Sequence, residues 1–202
     1  MSEEPAPPES LRSEQVAQTR LALIASGRRL FGEKGFAATS VDDLAREARV
    51  TTGALYHHFP TKTALFETVF ETVHGELLDA SANAGAGAPN AVEFIARALE
   101  AFLDAVLDPQ VQRVVVTDAP AVLGQERFTE LDERHSLGPM VASLEVARVS
   151  GELDIDDSET LARLLFGALT RGAMLIAGSS DPAGTRDRVA RGMRALLAGL
   201  AP

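Results

Sequence analysis

Residues 39–62, TSVDDLAREARVTTGALYHHFPTK, admit few folds. Proline at position 60 cannot continue a helical hydrogen-bond ladder and disfavours a helical residue before it, so any helix arriving there must stop. Upstream, Thr39 and Ser40 are both hydroxyl residues suited to start a helix, with Asp42 and Asp43 three residues on from each. A hydroxyl cap satisfies orphan backbone N–H groups, and a first-turn carboxylate complements the helix dipole. Val41, Leu44, Ala45 and Ala48 then recur at helical spacing, which buries one face. The small Ala45 lets a second helix cross closely. A tight turn at Arg49 leads to Val50, which points back into the same core. Thr51 caps a second short helix whose inner face carries Leu55 and Phe59. Its outer face keeps Thr52, Gly53, Tyr56 and His57: short donors, a gap for close approach, and two longer polar tips. Thr61 caps a third helix that opens with Lys62, a cation placed to meet a phosphate. A capped helix pair of this length is also used for plain packing, so periodicity alone does not settle whether it touches DNA.

More of the chain bears on that choice. Residues 19–38 read TRLALIASGRRLFGEKGFAA, with a Lys34-Gly35-Phe36 corner in register with the Tyr-His-His-Phe run and Lys62. The combined stretch resembles the DNA-binding domain of the tetracycline-repressor (TetR) family of bacterial transcriptional regulators, over about the first third of the chain. The remainder resembles the family only in layout. The resemblance implies an all-α protein with an N-terminal three-helix helix-turn-helix domain and a C-terminal helical domain for ligand binding and dimerisation. It implies a transcriptional repressor that acts as a homodimer on a palindromic double-stranded DNA operator and is released by a small-molecule effector. The second short helix, about Thr51 to Phe59, would enter the major groove. Thr52 and Tyr56, beside the close-approach residue Gly53, would reach bases or nearby backbone. Thr39, Ser40, His57 and Lys62 would hold phosphates, positioning the domain without reading sequence, and Thr51 also counts among the expected DNA contacts. One residue departs from the commoner family pattern: the turn position often filled by glycine is Arg49. A left-handed conformation there would cost a non-glycine residue about 1 kcal/mol.

Charge at first argues against DNA, because the 202-residue chain carries a net −10. The distribution removes the objection. Residues 17–66 hold seven basic and four acidic side chains, a local +3 that leaves −13 elsewhere. Phosphate contact is local, since screening confines it to about 8–10 Å at physiological salt. The acidic remainder keeps the rest of the molecule soluble and off DNA.

The expected division is a disordered tail over 1–12, a DNA-binding domain over 13–62 and an effector and dimerisation domain over 63–202. A helix from about Glu14 to Glu33 would bury Leu23, Ile24, Gly27, Leu30 and Phe31. Its mid-helix glycine is explained by close helix packing. A longer helix from Lys62 to about Asp79 precedes SANAGAGAPN (81–90), a small-residue loop. Residues 91–202 read as helical throughout. A Val114–Val116 triplet there could pass for a strand, a helix over about 125–150 carries Gly138-Pro139, and Ser158 could cap the next helix. Two late amphipathic helices, over about 158–178 and 185–200, form a hairpin. The family pairs such a hairpin with a second copy as a four-helix bundle, although the same faces could be buried within one chain. Phe70, His74, Phe102, Phe166, Thr170 and Met174 could face one interior and form an effector pocket. Each could equally be ordinary core. His74 in particular reads as a satisfied core histidine or as an effector contact.

Other classes find little support. With no cysteine there is no disulfide framework or thiolate metal site. The histidines, at 57, 58, 74 and 135, lack metal-ligand spacing, and no nucleophile elbow or phosphate-cradling glycine loop occurs. No catalytic residue, metal or cofactor is expected, and the chain is not read as an enzyme. No apolar run approaches the roughly 20 residues that span a bilayer, and no signal-peptide pattern opens the chain, so a cytoplasmic protein without a membrane partner is expected. Two alternatives stay open. One is a dimeric DNA-binding protein that needs no ligand. The other is a small-molecule binder or enzyme whose helix-turn-helix serves only packing.

Overall fold

A computed structural model describes residues 9–202, with side chains from residue 13 onward. Residues 1–8 of the expected disordered tail lie outside the described residues. Among the described residues every regular element is helical, and the chain divides into two compact units, Met1–Val69 and Phe70–Pro202.

The first unit contains α1 (Glu9–Lys34), α2 (Val41–Glu47), α3 (Thr52–His58) and the opening of α4 (Lys62–Gly85). Its core joins Leu23, Leu30 and Phe31 of α1 to Leu44, Leu55, Phe59, Leu65 and Phe66. Phe31, Phe36 and Phe66 form a cluster with centroids 5.2–5.7 Å apart, two of the pairs edge-to-face. That cluster explains why the first turns of α4 belong with the first unit. Gly27 permits the approach of α4 to α1, because a Cβ there would lie 2.8 Å from Cγ2 of Val69. Helix α1 ends at Gly35, whose φ of 82° suits glycine.

In the second unit, α4 runs on to Gly85, six residues beyond the expected end at Asp79. The stretch expected as a loop starts with Ser, Ala and Asn, and alanine propagates a helix well. Gly85 itself is the close-approach residue to α5, since an added Cβ would lie 2.9 Å from the carbonyl oxygen of Phe94. Next come α5 (Ala91–Ala105), α6 (Pro109–Val111), a π-helical segment (Gln112–Asp118), α7 (Ala119–Leu123), α8 (Gln125–Val149), α9 (Ser158–Ala177) and α10 (Pro182–Ala198). The Val114–Val116 triplet is thus helical, buried and wound in the wide register, with the Ala119 N–H donating to the Val114 carbonyl five residues back. Pro120 has no N–H for the Val116 carbonyl, and its ring would crowd that carbonyl in an α-turn. Wide winding is the local answer. Helix α8 carries Pro139 in its interior without ending there. The cap of α9 is Asp157, not Ser158. Asp157 accepts from the Glu159 N–H at 3.0 Å, while the buried Ser158 donates to Glu145.

Long-range polar links fasten the second unit. Glu152 accepts from the N–H groups of Ala91 and Val92, at 3.3 and 2.9 Å, and so completes the start of α5. Arg194 of α10 pairs with Glu93 at 2.9 Å and also with Glu100, and Arg186 donates to Asp104 at 2.9 Å. Gly172 lets α10 lie against α9, where an added Cβ would sit 2.5 Å from Val189. Helix α9 corrects one expectation, since by length and composition it could cross a membrane. It nevertheless carries Arg163 and Arg171, and Arg163 pairs with Glu133 and Glu159. Ala162, Leu165, Leu169, Gly172, Ala173 and Ile176 are buried inside the unit, as in a core helix of a globular domain.

Candidate functional site

In the first unit, α2, the turn and α3 position a polar surface over an apolar floor. Ser40 is the N-cap of α2 and accepts from the Asp43 N–H at 3.0 Å. The same hydroxyl, hydrogen-bonded to the Asp43 side chain, holds that carboxyl below its ordinary value. The turn places Arg49 at φ 57°, the left-handed conformation expected of a glycine position. Thr51 then caps α3 by accepting from the Ala54 N–H at 3.1 Å. Leu55 and Phe59 face inward with almost no exposure. Thr52, Gly53, Tyr56 and His57 all lie exposed on the other side, Tyr56 at 51%. Nothing within 3.4 Å opposes a side chain at Gly53, so its use is clearance outward and not packing inward. Thr52, Gly53 and Tyr56, expected at bases or by close approach, thus share one open face with His57, expected at a phosphate, and Ser40 and Thr51 stand exposed at the caps.

Two expected phosphate contacts are reassigned. Thr39 is 1% exposed, and its hydroxyl lies 2.8 Å from the Gly35 carbonyl and 3.2 Å from that of Leu30. It locks the corner between α1 and α2 and has no surface to offer DNA. Lys62 directs its ammonium to the carbonyls of Phe36 and Thr39, at 2.8 and 2.9 Å, and sits 4.0 Å from the centroid of the Phe36 ring. Of its three N–H groups two are committed internally, so its first task is to hold the corner. The sequence reading also missed two ties that fix the helix pair. Ser26 donates to the Leu44 carbonyl at 2.9 Å, and Arg29 pairs with Glu47 at 2.7 Å, which holds the Glu47 carboxyl low. Arg20 lies 4.6 Å from the centroid of Phe59, a cation–π contact on the floor of the surface. None of these partners follows from local spacing.

The second unit contains a cavity of about 210 Å³ among α4, α5, α8 and α9. Of the six residues expected to form an effector pocket, Phe102 and Phe166 line it, alongside Phe94, Met140 and three serines that the sequence reading did not select. Thr170 and Met174 instead line a separate void of about 20 Å³, which Phe102 also touches. Phe70 and His74 line neither cavity: their rings stack with centroids 5.2 Å apart, and Phe70 also packs against Phe128. His74 is 1% exposed and places Nε2 3.0 Å from Asp132, while its Nδ1 has no hydrogen-bond partner. It is a core histidine satisfied on one side only. The expected single pocket is therefore two cavities and a stacked Phe70–His74 pair. Contact geometry divides them, because residues at helical spacing on one face can be separated by any side chain that intervenes from a neighbouring helix.

Comparison with known proteins agrees with both units. The profile described as "Bacterial regulatory proteins, tetR family" matches residues 23–69, and that described as "Tetracyclin repressor-like, C-terminal domain" matches residues 92–200. A crystal structure of a TetR-family transcriptional regulator from Pectobacterium atrosepticum is 32% identical, with a TM-score of 0.83 over 93% of this chain and 96% of that one. The Transposon Tn10 TetC protein of Escherichia coli is 26% identical over 77% of this chain and 79% of its own length. The HTH-type transcriptional regulator TtgR of Pseudomonas putida is 27% identical over 83% and 86%. The second profile alone spans more than half of the chain, and the open polar face of α3 supplies the surface that such proteins need. The chain belongs to the TetR family and is a DNA-binding transcriptional regulator.

Proposed function

We propose that the protein is a repressor that binds a palindromic operator as a homodimer and releases it when a small molecule fills the 210 Å³ cavity. One observation carries the DNA half of this reading: Thr52, Gly53, Tyr56 and His57 stand exposed on a single face of α3, with Leu55 and Phe59 buried behind them. Thr52 and Tyr56 reach bases or adjacent backbone. Thr51 and His57 hold phosphates, Ser40 joins them when its hydroxyl proton turns from the Asp43 carboxylate, and Lys62 adds at most one N–H to that work. The dimer half is supported by Leu164, Leu175 and Leu196, which are 66%, 48% and 54% exposed on α9 and α10. Large apolar side chains gathered on two paired helices mark an association surface.

Gel-shift titrations at several salt concentrations test the reading. With 6–10 phosphate contacts, affinity falls by roughly 10³–10⁵ between 50 and 200 mM salt. Tyr56→Ala costs about 1–3 kcal/mol on the preferred operator and relaxes its sequence preference, with the melting temperature unchanged. Salt-independent affinity, or a Tyr56→Ala protein that binds as the wild type does, refutes the assignment.

A further inference from the structure

The polar atoms of the 210 Å³ cavity are biased toward one hydrogen-bonding role. Ser81, Ser136 and Ser143 each spend their hydroxyl proton on the backbone carbonyl four residues earlier, those of Leu77, Asp132 and Pro139 respectively. A serine hydroxyl has one proton and two lone pairs, so each of these side chains has only acceptor capacity left. The backbone adds to the bias. Pro139 lines the cavity and has no N–H to give the His135 carbonyl, which lies four residues before it on the same wall and loses its α-helical donor. Asp79 contributes an exposed carboxylate. No Lys, Arg, Asn, Gln or Tyr lines the cavity. His135 is the single side chain with a ring N–H, and it is largely turned out, 46% exposed with Nε2 3.9 Å from Glu71. The remaining wall is apolar, with Phe94, Phe102 and Phe166 among its side chains.

Size narrows the occupant further. A dry apolar cavity of about 150 Å³ holds benzene. A cavity of 210 Å³ suits one ring with a short substituent. Resting on the reading of this cavity as the effector site, we infer that the effector is a compact, largely apolar, single-ring molecule that brings its own O–H or N–H donor and carries no negative charge. An anion would meet a carboxylate and lone pairs with no Lys or Arg in the lining to pair it and His135 largely turned out, and a buried unpaired charge is strongly disfavoured. A purely apolar molecule of the same shape would fill the walls and leave the serine lone pairs desolvated and unmatched.

Calorimetric titration of the full-length protein with three matched probes tests this: 4-propylphenol, propylbenzene and 4-propylbenzoate. The expected result is that 4-propylphenol binds at least tenfold more tightly than either of the others. Ser136→Ala, which removes an acceptor, should narrow the gap to propylbenzene. Phe166→Trp, or Ala98→Leu from α5, should abolish binding of the phenol, with thermal melts confirming that each variant is folded. Equal affinity for the phenol and propylbenzene, or tighter binding of the benzoate, overturns donor selection and leaves the cavity as the effector site. Binding of none of the probes, or phenol binding that both filled-cavity variants retain, overturns the cavity itself and this inference with it.

Discussion

The two units are held together in different ways. In the DNA-reading unit the helix caps act on close neighbours, Ser40 on the N–H of Asp43, Thr51 on that of Ala54 and Thr61 on that of Ala64, while Ser26, Arg29 and Lys62 tie the corner over 18 to 26 residues. Each cap is a three-residue relation that any reader of the chain can see. In the second unit local caps such as Asp157 on the N–H of Glu159 are joined by links across much greater separations. Glu152 serves the start of α5 from 60 residues away, and Arg194 reaches Glu93 over 101. The long links of the first unit span 18 to 26 residues, and those of the second reach 101.

The largest expected effect separates association from folding. Leu196→Asp puts a carboxylate where the side chain is exposed within its own unit, so the monomer should keep its melting temperature. Sedimentation should show dissociation, and losing the second half-site should lower operator affinity by about 10²–10⁴. A variant that stays dimeric, or a wild type that sediments as a monomer at micromolar concentration, removes α10 from the interface. Next in size is Gly172→Ala, which should cost about 1–3 kcal/mol by forcing α9 and α10 apart, read as a lower denaturant midpoint. An unchanged midpoint would mean that this long-range fit is looser than the 2.5 Å approach requires.

The local side of the contrast is sharpened by Arg49→Gly. Relieving φ 57° at that turn should stabilise the protein by at most about 0.5 kcal/mol, after the greater chain entropy of glycine is subtracted. A fall in stability would show that the arginine side chain contributes more than its backbone costs. The smallest effect concerns acid. Hydrogen bonds from Arg194, and then from Arg97, hold the Glu93 carboxyl at about 2, below its ordinary 4.5. Glu145 is likewise held at about 2, by Arg148 and then by Ser158. A depressed carboxyl stabilises the fold above its unfolded value and loses that contribution as pH falls through the folded one. Melting temperature should therefore decline between about pH 4.5 and 2. Glu93→Gln should make that decline shallower while lowering stability slightly at neutral pH. Parallel wild-type and variant curves would deny the Glu93–Arg194 pair any part in it.

Legibility in the sequence follows the same divide. The short helices, their capping by Ser40 and Thr51, the inward pair Leu55 and Phe59 and the left-handed Arg49 all rest on spacings of a few residues. The inward partners of Thr39 and Lys62, the carbonyls of Leu30, Gly35 and Phe36, become visible only once the chain has turned the corner. The end of α4 was placed early because Ser-Ala-Asn composition was read as loop where alanine propagated a helix. Cavity serines escaped notice since nothing in their local sequence distinguishes a serine facing solvent from one lining a void.

Tyr56 has an optical consequence. The chain contains no tryptophan and this one tyrosine, so its ultraviolet emission above the weak phenylalanine band comes from a single ring on the outward face of α3. Operator titration should quench that emission without any label. No tyrosine lines the 210 Å³ cavity, so a ligand there does not touch this ring. The same scarcity of chromophores makes absorbance at 280 nm a poor measure of its concentration.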